Sequence, residues 1–405
     1  MSQRYFVIKD ASGSGSGGSR SGGGSGGYLN QPNLHTESPA GPSLSVETIA
    51  NPQELDELRE DPAVNYVAPV LPIRQVDPFP ADGPQTAAVG DTTWGLNVTG
   101  AVTSPRNGAG VTVAVLDTGI DSSHPAFAGI AIEEKDFTGL GNGDTNGHGT
   151  HCAGTIFGKP VNGVRFGVAP GIKKALVGKV LGGDAGTDTI VDAIHWAERS
   201  GAQIISMSLG IDFPGYVDYL VNVQGKPVDF ATSQALHAYR DNVALVESVV
   251  ETLFKFQGMG RGAMVIAASG NESKRNEAPL YDLWVAPPAA APGVLSVGAA
   301  GLSDNGDKLR IASFSNVGQV LTGPGEDILS AKAGGGLTRL SGTSMATPHV
   351  AGISALWAEK LMADTGSLNL GQLTAKLRAT AKDDVFVAGT RRLLIGDGLV
   401  QAPQS

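Results

Sequence analysis

Ser341-Gly342-Thr343-Ser344-Met345-Ala346-Thr347-Pro348-His349-Val350-Ala351-Gly352 is the stretch from which the fold is read. Pro348 has no N–H and is tolerated in the first turn of a helix, so a helix is predicted to begin at about Ser344 and to run over Met345 to Met362. That start places the Ser344 hydroxyl at the positive end of a helix dipole, a good seat for a nucleophile. Serine is also a favoured helix cap. A cap alone does not call for the small pair Ala351-Gly352, which lets the helix press against its neighbours.

Working outward, apolar runs separated by Gly-rich turns fill the chain from Trp94 onward, with candidate strands at Val111 to Leu116, Lys174 to Val180, Gln203 to Ser206, Ala263 to Ala268 and Val294 to Val297. A helix is predicted over Thr189 to Arg199. This texture predicts an α/β fold, a parallel sheet with helices on both faces, in which chemistry gathers beyond the carboxyl ends of the strands. Asp117 ends the first of those strands. An unpaired carboxylate buried there would cost several kcal/mol, roughly, so it has either a partner or a plain turn-starting role before Gly119. A second segment, Asn146-Gly147-His148-Gly149-Thr150-His151-Cys152-Ala153-Gly154, brings glycines around an imidazole at a helix start. His148 and His151 share the spacing of metal ligands on one face, yet no Glu sits between them as the zinc-protease motif requires. The alternative is one working imidazole and one packing imidazole.

Together the three segments resemble the catalytic blocks of the subtilases, serine peptidases whose triad runs Asp, His, Ser along the chain. The resemblance covers roughly Trp94 to Pro403, and His-Gly-Thr-His-Cys-Ala-Gly is most similar to the proteinase K branch. It implies Ser344 as nucleophile, His148 as general base and then acid, and Asp117 as the group that orients the ring. His151 then becomes structural. Ala267-Ala268-Ser269-Gly270-Asn271 matches the family's oxyanion segment, implying the Asn271 amide and the Ser344 N–H as donors. Ser208-Leu209-Gly210 matches the segment along which the family binds an extended peptide as an added strand, with Gly183 to Thr187 as the opposite edge and Gly270 beside the main pocket. Cys152 is expected near the catalytic histidine, either as an inert buried thiol or as a site for mercurials. His124 and His349 are assigned to packing, and His35, His195 and His237 receive no role.

Ahead of this region, Arg4 to Lys9 and Leu44 to Ile49 alternate like strands, Asn51-Pro52 starts a helix bearing Leu55 and Leu58, and Val64 to Val67 returns as a strand. This small α/β module resembles a subtilase propeptide, a chaperone and intramolecular inhibitor whose tail lies in the substrate cleft. The expected organisation is a propeptide-like module over 1–76, a linker over 77–93 and a catalytic domain over 94–405, with excision between Ala68 and Asp91. The Pro-rich stretch Pro69 to Pro84 is expected to be an exposed linker. A Ser/Gly tract, Ser12 to Gly27, interrupts the module where such a domain usually carries its first helix.

Charged residues are 17% against 41% hydrophobic, which suits a globular chain. A net charge of −10 with no basic stripe argues against nucleic acid. No apolar run reaches the ~20 residues of a membrane span, and the first ten residues lack a signal-peptide core, so a cytoplasmic or non-classically exported protein is expected. The lone Cys152 excludes an internal disulfide and a cysteine-based zinc cluster. In calcium-dependent subtilases an Asp commonly follows Ser-His-Pro. Ala126 stands there, so that site is expected to be absent, with Asp136 or Asp144 as weak calcium alternatives and no cofactor required. The 211–262 region is an insertion relative to compact subtilases. Leu236, Tyr239, Val243, Val246, Val250 and Leu253 predict an amphipathic helix over about Ala231 to Phe256, covering a core, meeting a partner or narrowing the cleft. The expected activity is a self-processing serine endopeptidase acting on polypeptides. Alternatives are a maturation protease for one precursor, or a noncatalytic peptide-binding scaffold.

Overall fold

The computed structural model describes residues 3–9, 43–49, 52–80 and 92–405. The Ser/Gly tract, and the part of the expected excision window from 81 to 91, lie outside the described residues. Contacts divide the chain into two units, Met1–Val70 and Leu71–Ser405.

In the first unit, β1 (Gln3–Lys9) lies between β2 (Ser43–Ile49) and β3 (Val64–Pro69), antiparallel to both, and α1 (Pro52–Glu60) packs on β2 and β3. Asp61 ends the helix: its carboxylate accepts from Ala63 N–H at 2.9 Å and turns the chain into β3.

The second unit opens with β4 (Ile73–Gln75), β5 (Phe79–Pro80) and the short helix α2 (Trp94–Val98). There follow β6 (Thr112–Asp117), β7 (Ala131–Asp136), α3 (His148–Phe157), β8 (Lys174–Lys179), α4 (Thr187–Arg199), β9 (Ile204–Met207) and β10 (Leu209–Ile211). Helices α5 (Phe213–Asp218) and α6 (Val228–Lys255) precede β11 (Met264–Ala268), β12 (Leu295–Leu302), β13 (Leu309–Ile311), β14 (Leu321–Pro324), β15 (Ile328–Ala331) and β16 (Leu337–Ser341). The long α7 (Thr343–Thr365) comes next.

The main sheet has the order β13-β12-β11-β9-β6-β8-β7, with β14 also on β12. Its pairs are parallel except for β13, which runs antiparallel to β12. Central strands covered on both faces need apolar residues at every position, and β9 and β11 are buried throughout. The edge strand β7, Ala-Ile-Glu-Glu-Lys-Asp, instead alternates exposed and half-buried residues. Its charges protect an open edge. The chain leaves β6 for β7 and β8 on one side and later lays β9, β11 and β12 on the other, so β6 sits at the reversal of strand order. In open α/β sheets the crevice at that point, outside the carboxyl ends, is where ligands bind.

Gly342 to Ala358 are all buried, so α7 is a central helix covered on every side. Its close approach depends on Gly352, where a Cβ would stand 2.6 Å from Val168 Cβ.

Two expectations change here. The Pro-rich stretch does not run free: β4 pairs antiparallel with β10, and Leu71 and Val76 are buried. Backbone pairing and two apolar anchors outweigh the prolines, which occupy positions that need no N–H. In α6 the buried stripe of the first half is Ala231, Ala235 and Ala238, while Leu236 is 53% exposed. Small residues face inward because Leu71 and Ile211 pack against Ala238, with Ile73 and Tyr216 alongside.

Candidate active site

Strand β6 delivers Asp117 into a fully buried position. Its Oδ1 accepts from Thr118 N–H and meets His148 Nδ1, both at 2.7 Å. His148 opens α3, and two glycines let that helix start close to the strand. Gly147 precedes it with φ 95°, and at Gly149 a Cβ would stand 2.1 Å from the Gly119 carbonyl oxygen. Asp144 ties the approach together. One of its oxygens accepts from Thr118 Oγ1 and from Asn146 and Gly147 N–H, the other from Thr150 N–H and Oγ1. Asp144, weighed from sequence as a weak calcium ligand, thus gives both oxygens to protein donors. Asp136 likewise accepts from the Thr138 N–H and hydroxyl and from Gly141 N–H.

Ser344 is the second residue of α7, which begins one residue before the expected start, so Pro348 falls in the second turn. Pro348 cannot donate to the carbonyl four residues back, which belongs to Ser344. Two side chains replace that bond: Ser208 Oγ donates to the Ser344 carbonyl at 3.1 Å and Cys152 Sγ at 3.4 Å. Sequence reasoning placed Cys152 near the histidine but gave it no link to the serine. The proline four residues after Ser344 was the signal.

Asn271 follows β11 by three residues. Its Oδ1 accepts from Thr343 N–H and Oγ1, each at 2.9 Å, which fixes the amide at the start of α7. Gly270, with φ 110°, shapes this turn and donates its N–H to Thr343 Oγ1.

The chain's own residues 71–80 run through the crevice. Register pairs are Leu209 with Gln75, Gly210 with Arg74 and Ile211 with Ile73. On the opposite side Pro72 bridges Gly186, and Thr187 N–H donates to the Leu71 carbonyl at 3.0 Å. The segment is therefore a strand held between two edges, the arrangement expected for a bound peptide. On the second edge these bonds fall at Gly186 and Thr187, whereas Gly183 stands at a turn beside Thr138. Val76 is 4% exposed, its side chain beside Gly210. The Ser344 hydroxyl donates to the Val76 carbonyl at 2.9 Å, and Asn271 Nδ2 donates to the next carbonyl, that of Asp77, also at 2.9 Å. His148 Nε2, buried, has no hydrogen-bond partner among the described residues. Beyond the site, Phe79 and Pro80 pair with Ser341 and Leu340.

Three other buried histidines bond to backbone carbonyls. His151 Nε2 meets the Ile328 carbonyl, His349 Nδ1 that of Met345 and His124 Nε2 that of Gly336. Burial lowers His151 to about 3 and His349 to about 4, which holds both neutral. Among the described residues, the donor atoms of Asp117, His148 and Cys152 lie within 4.8 Å of one another. Burial first, and then the Asp117 charge, push the Cys152 thiol well above its ordinary range. A protonated thiol is a poor metal ligand, and the carboxylate is already bonded to the imidazole. No metal is assigned to this group. Among the described residues no helix is long and apolar enough to cross a membrane.

The sequence matches the subtilase family over residues 108–394. It is 34% identical over 267 residues to subtilisin-like protease 6 of Trichophyton verrucosum, covering 62% of this chain and 52% of the relative. To the alkaline protease of Alkalihalobacillus alcalophilus it is 30% identical over 371 residues, covering 89% of this chain and 78% of the relative. To alkaline serine exoprotease A of Vibrio alginolyticus it is 33% identical over 332 residues, covering 77% and 51%. The chain thus spans about half the length of the fungal relative. On this match over residues 108–394, which is most of its second unit, the chain belongs to the subtilase family.

Proposed function

We propose that this chain is a serine endopeptidase made as a self-processing precursor, and that the bond it cuts in itself is Val76–Asp77. The observation that carries this reading is the Val76 carbonyl lying 2.9 Å from the Ser344 hydroxyl while the Val76 side chain is buried against the pocket wall. Ser344 Oγ attacks the Val76 carbonyl carbon and His148 Nε2 takes the hydroxyl proton. Asp117, bonded to Nδ1, holds the ring in the right tautomer and stabilises its charged form. His148 then gives the proton to the departing Asp77 nitrogen, leaving Val76 as an ester on Ser344. A water, deprotonated by the same imidazole, releases the acid and restores the serine.

The oxyanion needs fixed donors. The Ser344 N–H, within the first helical turn, is one of the amides a helix leaves without an intrahelical acceptor. The Asn271 amide is the other, and it must exchange the Asp77 carbonyl for the Val76 oxygen. That one-carbonyl shift, together with the hydroxyl turned from His148 to the substrate carbonyl, is a resting arrangement of a precursor. In this reading residues 1–76 are the propeptide, the enzyme works on polypeptides, and Cys152 in the His148 block aligns the chain with the proteinase K branch. The test is intact-mass analysis of the refolded full chain beside its Ser344→Ala variant. The wild type is expected to divide into 1–76 and 77–405 while the variant stays whole. A folded wild type that stays whole, or a variant that divides identically, overturns the proposal.

A further inference from the structure

We propose that the cleft selects a basic residue at the third position before the scissile bond, and that Asp212 and Glu272 are the residues that read it. The inference rests on Val76–Asp77 being the bond that is cut. Arg74 then occupies the third position, and its guanidinium lies between two carboxylates: Nη2 is 2.7 Å from Glu272 Oε1 and Nε is 3.7 Å from Asp212 Oδ1. These acids come from different parts of the fold, Asp212 from the end of β10 and Glu272 from the turn after Asn271.

Each acid is held in place before a peptide arrives. Asp212 caps α5, its Oδ1 accepting from Gly215 N–H at 3.1 Å. Glu272 Oε2 accepts from Asn316 Nδ2 at 2.7 Å, while Asn316 Oδ1 accepts from the Glu272 and Ser273 N–H groups. The neighbouring cations are engaged elsewhere, Lys274 with Glu277 and Arg275 with Asp282. The backbone pairing of Arg74 with Gly210 fixes the height at which any third residue stands, so charge is read at a defined place along the strand. Arginine fits because its planar fork reaches both carboxylates at once.

The side chains of Arg74, Asp212 and Glu272 are 43%, 30% and 31% exposed, so each pair acts in high dielectric and changes affinity by about threefold. The two together predict about a tenfold preference for arginine over alanine, with glutamate lower still.

The test uses the full chain after its own processing. It is assayed with fluorogenic peptides carrying the sequence of residues 71–80, with arginine, alanine or glutamate in the Arg74 place. Expected is a kcat/KM order of arginine, alanine, glutamate, with an arginine-to-alanine ratio near ten that falls toward one in the Asp212→Asn/Glu272→Gln variant. The ratio is taken within each enzyme, so a general loss of activity does not affect it. Should that variant fail to fold, raising salt from roughly 0.05 to roughly 0.5 M must collapse the wild-type ratio, because exposed pairs are screened. Equal cleavage of the three peptides overturns this inference and leaves the peptidase reading standing. Cleavage of none of them overturns both.

Discussion

The carbonyl of Ser344 offers the sharpest test of how the fold holds its serine. Pro348 leaves it without a helical donor, and Ser208 Oγ at 3.1 Å and Cys152 Sγ at 3.4 Å take that place. Removing one donor leaves the other. Ser208→Ala should cost about 0.5–1.5 kcal/mol, the net worth of a single hydrogen bond, and Cys152→Ala about 1 kcal/mol, from a weak S–H donor and a small void. Removing both strands a buried carbonyl, which adds a desolvation penalty of about 1–3 kcal/mol, so the double variant should exceed the sum of the singles by at least about 1 kcal/mol. Urea unfolding measures this, with every protein in a Ser344→Ala background. That background prevents self-digestion and leaves the backbone carbonyl in place. Pro348→Ala supplies a helical N–H and should make Ser208→Ala cheaper. Additivity within about 0.5 kcal/mol would refute the reasoning.

Three further outcomes follow from the geometry. Burial lowers His151 to about 3 and His195 and His349 to about 4, from an ordinary 6.5. The unfolded chain therefore gains protons first, and stability present above pH 6.5 is lost toward pH 4 at about 1.4 kcal/mol per pH unit per histidine. Asp192 and Glu326, both raised by burial, offset part of this. Urea unfolding of Ser344→Ala between pH 7 and about 5 measures it, and a flat profile there counts against the buried neutral rings. Gly149→Ala drives a Cβ onto the Gly119 carbonyl, so thermal unfolding should show about 1–3 kcal/mol of destabilisation. Peptide turnover should fall about 10²-fold as His148 leaves Asp117. Asn271→Ala should lower kcat by about 10²–10³, a range carried over from a subtilisin, with KM little changed; an equal loss appearing in KM alone would remove Asn271 from the oxyanion role.

Much of this arrangement is legible in the chain because buried parallel strands must be apolar throughout, so Val111 to Leu116 announces a central strand and Asp117 at its end stands out. The glycines beside His148 and the pair Ala351-Gly352 mark close backbone approaches, and both contacts are present. The edge strand Ala131–Asp136 was not readable, because its charged residues erase the apolar signal that marks its neighbours. Residues 71–80 misled for the opposite reason: their prolines suggest a free linker, whereas pairing with Leu209–Ile211 is long-range and leaves no local pattern. The α6 stripe failed at Leu236 because the partner there, Leu71, requires small alanines rather than large apolar residues. The bracing role of Asp144 left no local signal, because five donors from four residues converge on it only after folding.

The most direct test of the account is whether the Ser344 hydroxyl is a nucleophile once the cleft is cleared. A fluorophosphonate probe is added to the processed chain freed of residues 1–76, with peptide mapping of the adduct. The account predicts one label on Ser344, absent from Ser344→Ala and sharply slowed in His148→Ala when each of these variants, unable to process itself, carries a site for a separate protease after residue 76 and has been cut there and freed of residues 1–76. Folded protein that takes no label, or takes it on another serine, contradicts it.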